Sequence, residues 1–112
     1  LMFAKGEGVA QDQAEAVRLY RLAAAQGHAQ AQCNLGVMFA NGEGVAQDKA
    51  EAVRLYRLAA AQGHADAQYT LGYMFSIGEG VAQDKAEAVR LWRLAAAQGH
   101  AKAAAALKRL GV

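Results

Sequence analysis

Three histidines, His28, His64 and His100, stand 36 residues apart in this chain and are its best candidates for metal binding or proton transfer. Each directly follows a glycine, a placement that suits contact with the terminal carbonyls of a helix. Copies carried on successive helical repeats would stand about 10 Å apart or more, too far to share one metal whose ligands lie at about 2 Å. They are therefore expected to shape turns. Cys33 is the single cysteine, which excludes an internal disulfide framework and a cysteine-based zinc site. It lacks a histidine or carboxylate constellation for nucleophilic catalysis, so oxidation or an intermolecular disulfide is its expected special behaviour. The Gly-Glu-Gly-Val segments contain a Gly-x-Gly, but nothing completes a dinucleotide fingerprint or a phosphate-binding loop. Neither a cofactor nor a metal is expected, and the chain is read as no enzyme.

The arginine pairs Arg18/Arg21, Arg54/Arg57 and Arg90/Arg93 also recur every 36 residues. Stacked helices would align them into a basic ladder able to follow phosphates. Glu15, Glu51 and Glu87 precede the first arginine of each pair by three residues, a spacing that favours local ion pairing. Net charge is only +2. The ladder is read as a solvated face, with no nucleic-acid partner.

The elements that carry these residues follow from the repetition. Gly-Glu-Gly-Val-Ala-Gln-Asp begins at Gly6, Gly42 and Gly78, and Leu-Ala-Ala-Ala-Gln-Gly-His begins at Leu22, Leu58 and Leu94. The chain has 112 residues, is rich in alanine, and contains 12 glycines and no proline. An unbroken 36-residue period with strong helix formers predicts an all-α fold, an α/α solenoid of antiparallel helix pairs. In the second repeat Asp48, followed by Glu51, marks the start of one helix, here called B, and Gly63 its left-handed stop. Ala52, Val53, Leu55, Tyr56, Ala59 and Ala60 share one face of that helix. The other helix, A, is predicted from about Ala65 to Ser76. The divisions are 6–41, 42–77 and 78–112, the last with a C-terminal capping helix, and 1–5 is read as the remnant of a truncated helix A. Helix B of the first unit is predicted from roughly Gln13 to Gln26.

The run Ala31-Gln32, Leu35-Gly36, Met38, Gly42, Gly44-Val45, Asp48, Ala52, Tyr56, Ala59-Ala60, Gly63 resembles the Sel1-like repeat, a branch of the tetratricopeptide superfamily. The resemblance spans nearly the whole chain. It departs at Ala46 and Ala82, where members of the family often carry proline. It implies a right-handed superhelix with helices A lining a concave groove, and a role as adaptor or scaffold in protein–protein assembly.

The repeats differ chiefly in helix A, at Gln30/Asp66, Cys33/Tyr69, Asn34/Thr70, Val37/Tyr73, Ala40/Ser76 and Asn41/Ile77. At about 100° per residue these positions span roughly 120°, and the unchanged Ala31, Gln32, Leu35, Gly36, Met38 and Phe39 fill the other side. One face is thus committed to packing and the other is free to vary. The candidate binding residues are Gln30, Cys33, Asn34, Val37 and Asn41 on one helix A. Asp66, Tyr69, Thr70, Tyr73 and Ile77 follow on the next. Lys102 and Arg109 stand on the capping helix, where two cations would hold an acidic group. The expected partner is a protein or an extended peptide segment, with the tyrosines as anchors. A contrasting reading is a structural, self-assembling or consensus-designed array without a dedicated ligand, in which a second copy covers an open N-terminal face. No apolar run approaches the ~18 residues of a membrane-spanning helix. A soluble chain without a membrane partner is expected, and its compartment stays open.

Overall fold

The computed structural model describes residues 7–112, with side chains from residue 12 onward. The truncated helix expected at 1–5 lies outside the described residues. Six helices and no strand occur among the described residues: α1 (Glu7–Ala25), α2 (Ala29–Asn41), α3 (Lys49–Ala61), α4 (Ala65–Ile77), α5 (Lys85–Ala96) and α6 (Ala101–Leu110). α2, α4 and α6 are helices A; α1, α3 and α5 are helices B. Packing is most extensive within the pairs α2/α3 and α4/α5, and each pair leans on the next through α3/α4 and α5/α6. The result is an elongated body of 49 × 28 × 27 Å, an α/α solenoid. None of these helices is long and apolar enough to cross a membrane.

Small residues set the spacing. Ala52, Ala59, Ala67, Ala88, Ala95 and Ala103 are fully buried in the contacts between helices. Gly36 and Gly72 bring helix A against an aromatic side chain of helix B. A Cβ on Gly36 would lie 2.9 Å from Tyr56 Cε1, and one on Gly72 would lie 2.6 Å from Trp92 Nε1. The Trp92 indole N–H in turn donates to the Tyr69 carbonyl at 3.0 Å. The core continues through Leu35, Met38, Phe39, Leu55, Leu71, Met74, Phe75 and Leu91.

Helix boundaries follow local chemistry. The Asp48 and Asp84 carboxylates accept from the Glu51 and Glu87 N–H groups, each at 3.0 Å, and so cap α3 and α5. The capping box is only half formed. The Glu51 carboxylate accepts instead from Arg54, while the Asp48 N–H donates to the Phe39 carbonyl. Gly63, with φ +87°, stops α3 in the left-handed region, and the His64 N–H closes back on the Ala59 carbonyl at 3.2 Å.

One sequence adopts two structures. Gly-Glu-Gly-Val-Ala-Gln-Asp forms a turn after Asn41 and after Ile77, but Glu7 to Asp12 of the first copy lie in α1, which begins at Glu7, earlier than the expected Gln13. In the two turns the preceding repeat holds the string. Asp48 and Asp84 N–H groups donate to the Phe39 and Phe75 carbonyls at 2.8 Å, and the Gln47 and Gln83 side chains donate to the Ala40 and Ser76 carbonyls at 2.9 Å. Gly80, with φ +72°, also passes so close to α3 that a Cβ would lie 2.7 Å from the Lys49 carbonyl oxygen. The turn is therefore imposed by the neighbouring helix pair.

Candidate interaction face

The six invariant positions of helix A, Ala31, Gln32, Leu35, Gly36, Met38 and Phe39, are all buried. The variable sector is the open side, but it is narrower than the sequence suggested. Its centre is exposed: Gln30, Val37 and Asn41 on α2, and Asp66, Tyr73 and Ile77 on α4. Asn34, Thr70 and Tyr69 are half-buried. Val37, Tyr73 and Ile77 are 40%, 48% and 46% exposed, large apolar surface for a solvated helix. Lys102 and Arg109 are exposed on α6, with Ala106 buried between them.

Cys33 corrects the expectation. It is 6% exposed and belongs to the core, so it lines no open surface. Its position lies at the edge of the variable sector, within reach of the Asp66 charge on α4. Burial, together with the nearby Asp66 charge, pushes the Cys33 thiol up to about 11 from an ordinary value of 9.0. A buried, protonated thiol is a poor nucleophile, which removes the expected tendency to oxidise. At the same edge of α4, the Tyr69 ring stacks on His100, with centroids 5.0 Å apart. Tyr69 is thus partly committed to packing, and Tyr73 is the tyrosine left to solvent.

The histidines do more than finish helix B. The His64 and His100 imidazoles turn forward, and their Nδ1 atoms accept from the Ala67 and Ala103 N–H groups at 3.2 Å, capping α4 and α6. With Nδ1 accepting, the ring proton resides on Nε2. His64 Nε2–H donates back to Gln30 Oε1 at 2.9 Å, and His100 Nε2–H donates to Asp66 Oδ1 at 2.8 Å. Gln30 and Asp66 are therefore clasps between successive helices A, and Gln30 also donates to Asn34 Oδ1 at 2.8 Å. His28 has no helix A ahead of it among the described residues, and its side chain makes no cap bond.

A glutamine ladder was missed in the sequence. Buried Gln32 and Gln68 donate to the Ala24 and Ala60 carbonyls at 3.2 and 3.1 Å, and accept from Gln62 and Gln98 at 2.7 and 3.0 Å. The available signal was a polar residue on the packed face at a fixed period. The first arginines of each pair behave as expected: Arg18, Arg54 and Arg90 bond Glu15, Glu51 and Glu87. Hydrogen bonding from Arg54 and Arg90 holds the Glu51 and Glu87 carboxyls below the usual carboxylate range. Among the described residues no group of His, Cys, Asp and Glu converges into a metal site.

Antiparallel helix pairs stacked in a single file, with one face packed and one variable, define a tetratricopeptide-like solenoid. The Sel1 repeat family model matches residues 1–28, 29–64 and 65–100. The chain belongs to the Sel1 repeat family, whose members are generally protein-interaction scaffolds. It is similar to a protective antigen of uropathogenic Escherichia coli strains that displays this repeat fold. Identity there is 47% over 88% of this chain and 21% of that one, with a TM-score of 0.82. A Sel1 repeat protein from Oxalobacter formigenes is 40% identical over 78% of this chain and 36% of that one, with a TM-score of 0.76. Cysteine rich protein B of Helicobacter pylori is 25% identical over 81% of this chain and 68% of that one, with a TM-score of 0.78. The chain thus spans about a third of the Oxalobacter protein and a fifth of the Escherichia coli one. No curated protein matches it significantly.

Proposed function

We propose that the chain is a non-catalytic binding scaffold that takes an extended peptide segment of another protein along the exposed sector of its helices A. The observation that carries this reading is the exposure of Val37, Tyr73 and Ile77 at the centre of the open sector of α2 and α4. Tyr73 is the principal anchor, because an aromatic ring supplies large contact area at low entropic cost. Asn34, Asn41 and Thr70 offer side-chain donors and acceptors to a peptide backbone. Lys102 and Arg109 add two cations on α6 for an acidic group or a C-terminal carboxylate. Gln30, Asp66 and Tyr69 keep the face in register through His64 and His100 and contact the ligand only at their outer edges.

A phage-displayed library of random dodecapeptides, selected on the folded chain, tests the reading. Peptides of at least one selected class should bind Tyr73→Ala at least about tenfold more weakly, a loss of about 1.4 kcal/mol or more. Val37→Ser should weaken the same peptides by a smaller factor. If no selected peptide distinguishes Tyr73→Ala from the parent, the helix A face is not the binding surface.

A further inference from the structure

The opposite side of the solenoid carries two recesses related by one repeat. One, of about 500 Å³, lies between α1 and α3 over α2, and Arg21, Gln32, Leu35, Arg54, Leu55 and Leu58 line it. The other, of about 470 Å³, lies between α3 and α5 over α4, and Arg57, Gln68, Leu71, Arg90, Leu91 and Leu94 line it. Each lining residue of the second stands 36 positions after its counterpart in the first. A leucine is left open on each wall: Leu58 is 42% exposed and Leu94 is 44%.

The charges in each recess do not balance. Arg54 and Arg90 are spent on Glu51 and Glu87. Arg21 and Arg57 fall outside the ion pairs found among the described residues. Their guanidinium groups lie instead 5.3 and 5.2 Å over the Phe39 and Phe75 rings. Stacking on an aromatic ring holds the head group in place while leaving its N–H edges available to a carboxylate. Each recess therefore sets beside an apolar wall one cation that makes no close ion pair among the described residues and is coupled to Glu51 or Glu87 only at longer range.

We infer that these recesses form a second docking surface, distinct from the helix A face, for a peptide segment that alternates acidic and large apolar side chains. The acidic group would bond Arg21 or Arg57, and the apolar side chain would lie against Leu58 or Leu94. Occupation of both recesses by one segment raises its effective concentration at the second. A phosphate backbone fits the site less well. It brings a charge at every residue to one cation per recess, and the exposed leucines offer it nothing.

The same dodecapeptide selection, repeated on Tyr73→Ala so that helix A binders are depleted, tests the inference. Selected peptides should be enriched in Asp or Glu beside Leu, Ile or Phe. They should bind Arg21→Gln/Arg57→Gln at least about tenfold more weakly, and Leu58→Ser/Leu94→Ser likewise, with unchanged helical circular dichroism in both variants. They should bind the parent and Tyr73→Ala equally, which separates this surface from the proposed helix A site. Selection of no acidic–apolar class overturns the inference, as does equal binding to the arginine variant. A labelled oligothymidylate that binds more tightly than the peptides and loses affinity in the arginine variant assigns the recesses to nucleic acid instead, and also overturns it.

Discussion

Replacing Gly72 by alanine tests the close packing on which the repeat geometry depends. On an exposed helix surface this change would stabilise by about 1 kcal/mol. Here the new Cβ would stand 2.6 Å from Trp92 Nε1 and 2.8 Å from Cδ1. Ordinary van der Waals contact is about 3.5–4 Å, so the indole must retreat by close to 1 Å. It is 5% exposed, and its N–H is already bonded to the Tyr69 carbonyl at 3.0 Å. A retreat of that size breaks the bond and leaves a buried donor unpaired, at about 1–3 kcal/mol, and overpacking adds about 1–3 kcal/mol. Set against the gain in helix propensity, the net loss is about 1–5 kcal/mol, centred near 3. Gly36→Ala is the internal control. Its Cβ would meet Tyr56 Cε1 at 2.9 Å, a milder overlap, and should cost less than about 1 kcal/mol. Urea unfolding followed by the single tryptophan and by helical circular dichroism reads both. If Gly72→Ala is as stable as the parent, or if the two variants lose equally, the close-approach argument fails.

Cys33 should react with a thiol-specific disulfide reagent only as fast as the native structure opens, because the thiol is buried and protonated. Its folded pKa lies above the unfolded value, so its contribution to stability is fully present below about pH 9 and is lost as pH rises through about 11. At 1.36 kcal/mol per unit, the parent should lose about 2 kcal/mol relative to Cys33→Ala across that range, and parallel urea midpoints for the two proteins would contradict this. His100→Ala removes the cap of α6 and the ring stacked on Tyr69, and should cost about 1–2 kcal/mol. His28→Ala should cost less than about 0.5 kcal/mol, since its side chain makes no cap bond; equal losses in urea would refute the capping role.

The 36-residue period and the glycine stops were legible because each is local and written three times, and the aspartate caps of α3 and α5 because each is local, though the third copy, Asp12, lies inside α1. The division of helix A into packed and open faces was legible for the same reason: the repeats provide their own comparison. What escaped depends on the adjacent repeat. Cys33 lies within the variable sector on a helical wheel, yet it is buried in the core, within reach of the Asp66 charge. A wheel knows only its own helix. The imidazoles of His64 and His100 reach 34 residues back to Gln30 and Asp66, a contact that no local pattern announces. Glu7, Gly8 and Val9 match Glu43, Gly44 and Val45 letter for letter and still lie in a helix, so the string alone does not dictate the turn. The glutamine ladder satisfies buried carbonyls, a need visible only once those carbonyls are buried.

Amide chemical shifts of the labelled chain, titrated with a peptide selected on the parent and weakened by Tyr73→Ala, test the binding reading most directly. The largest changes should fall on α2, α4 and α6 around Val37, Tyr73 and Ile77, while the end faces stay unperturbed. Changes confined to α1 and to the outer surface of α6, with α4 silent, would contradict a helix A binding surface and favour an array that only stacks on itself.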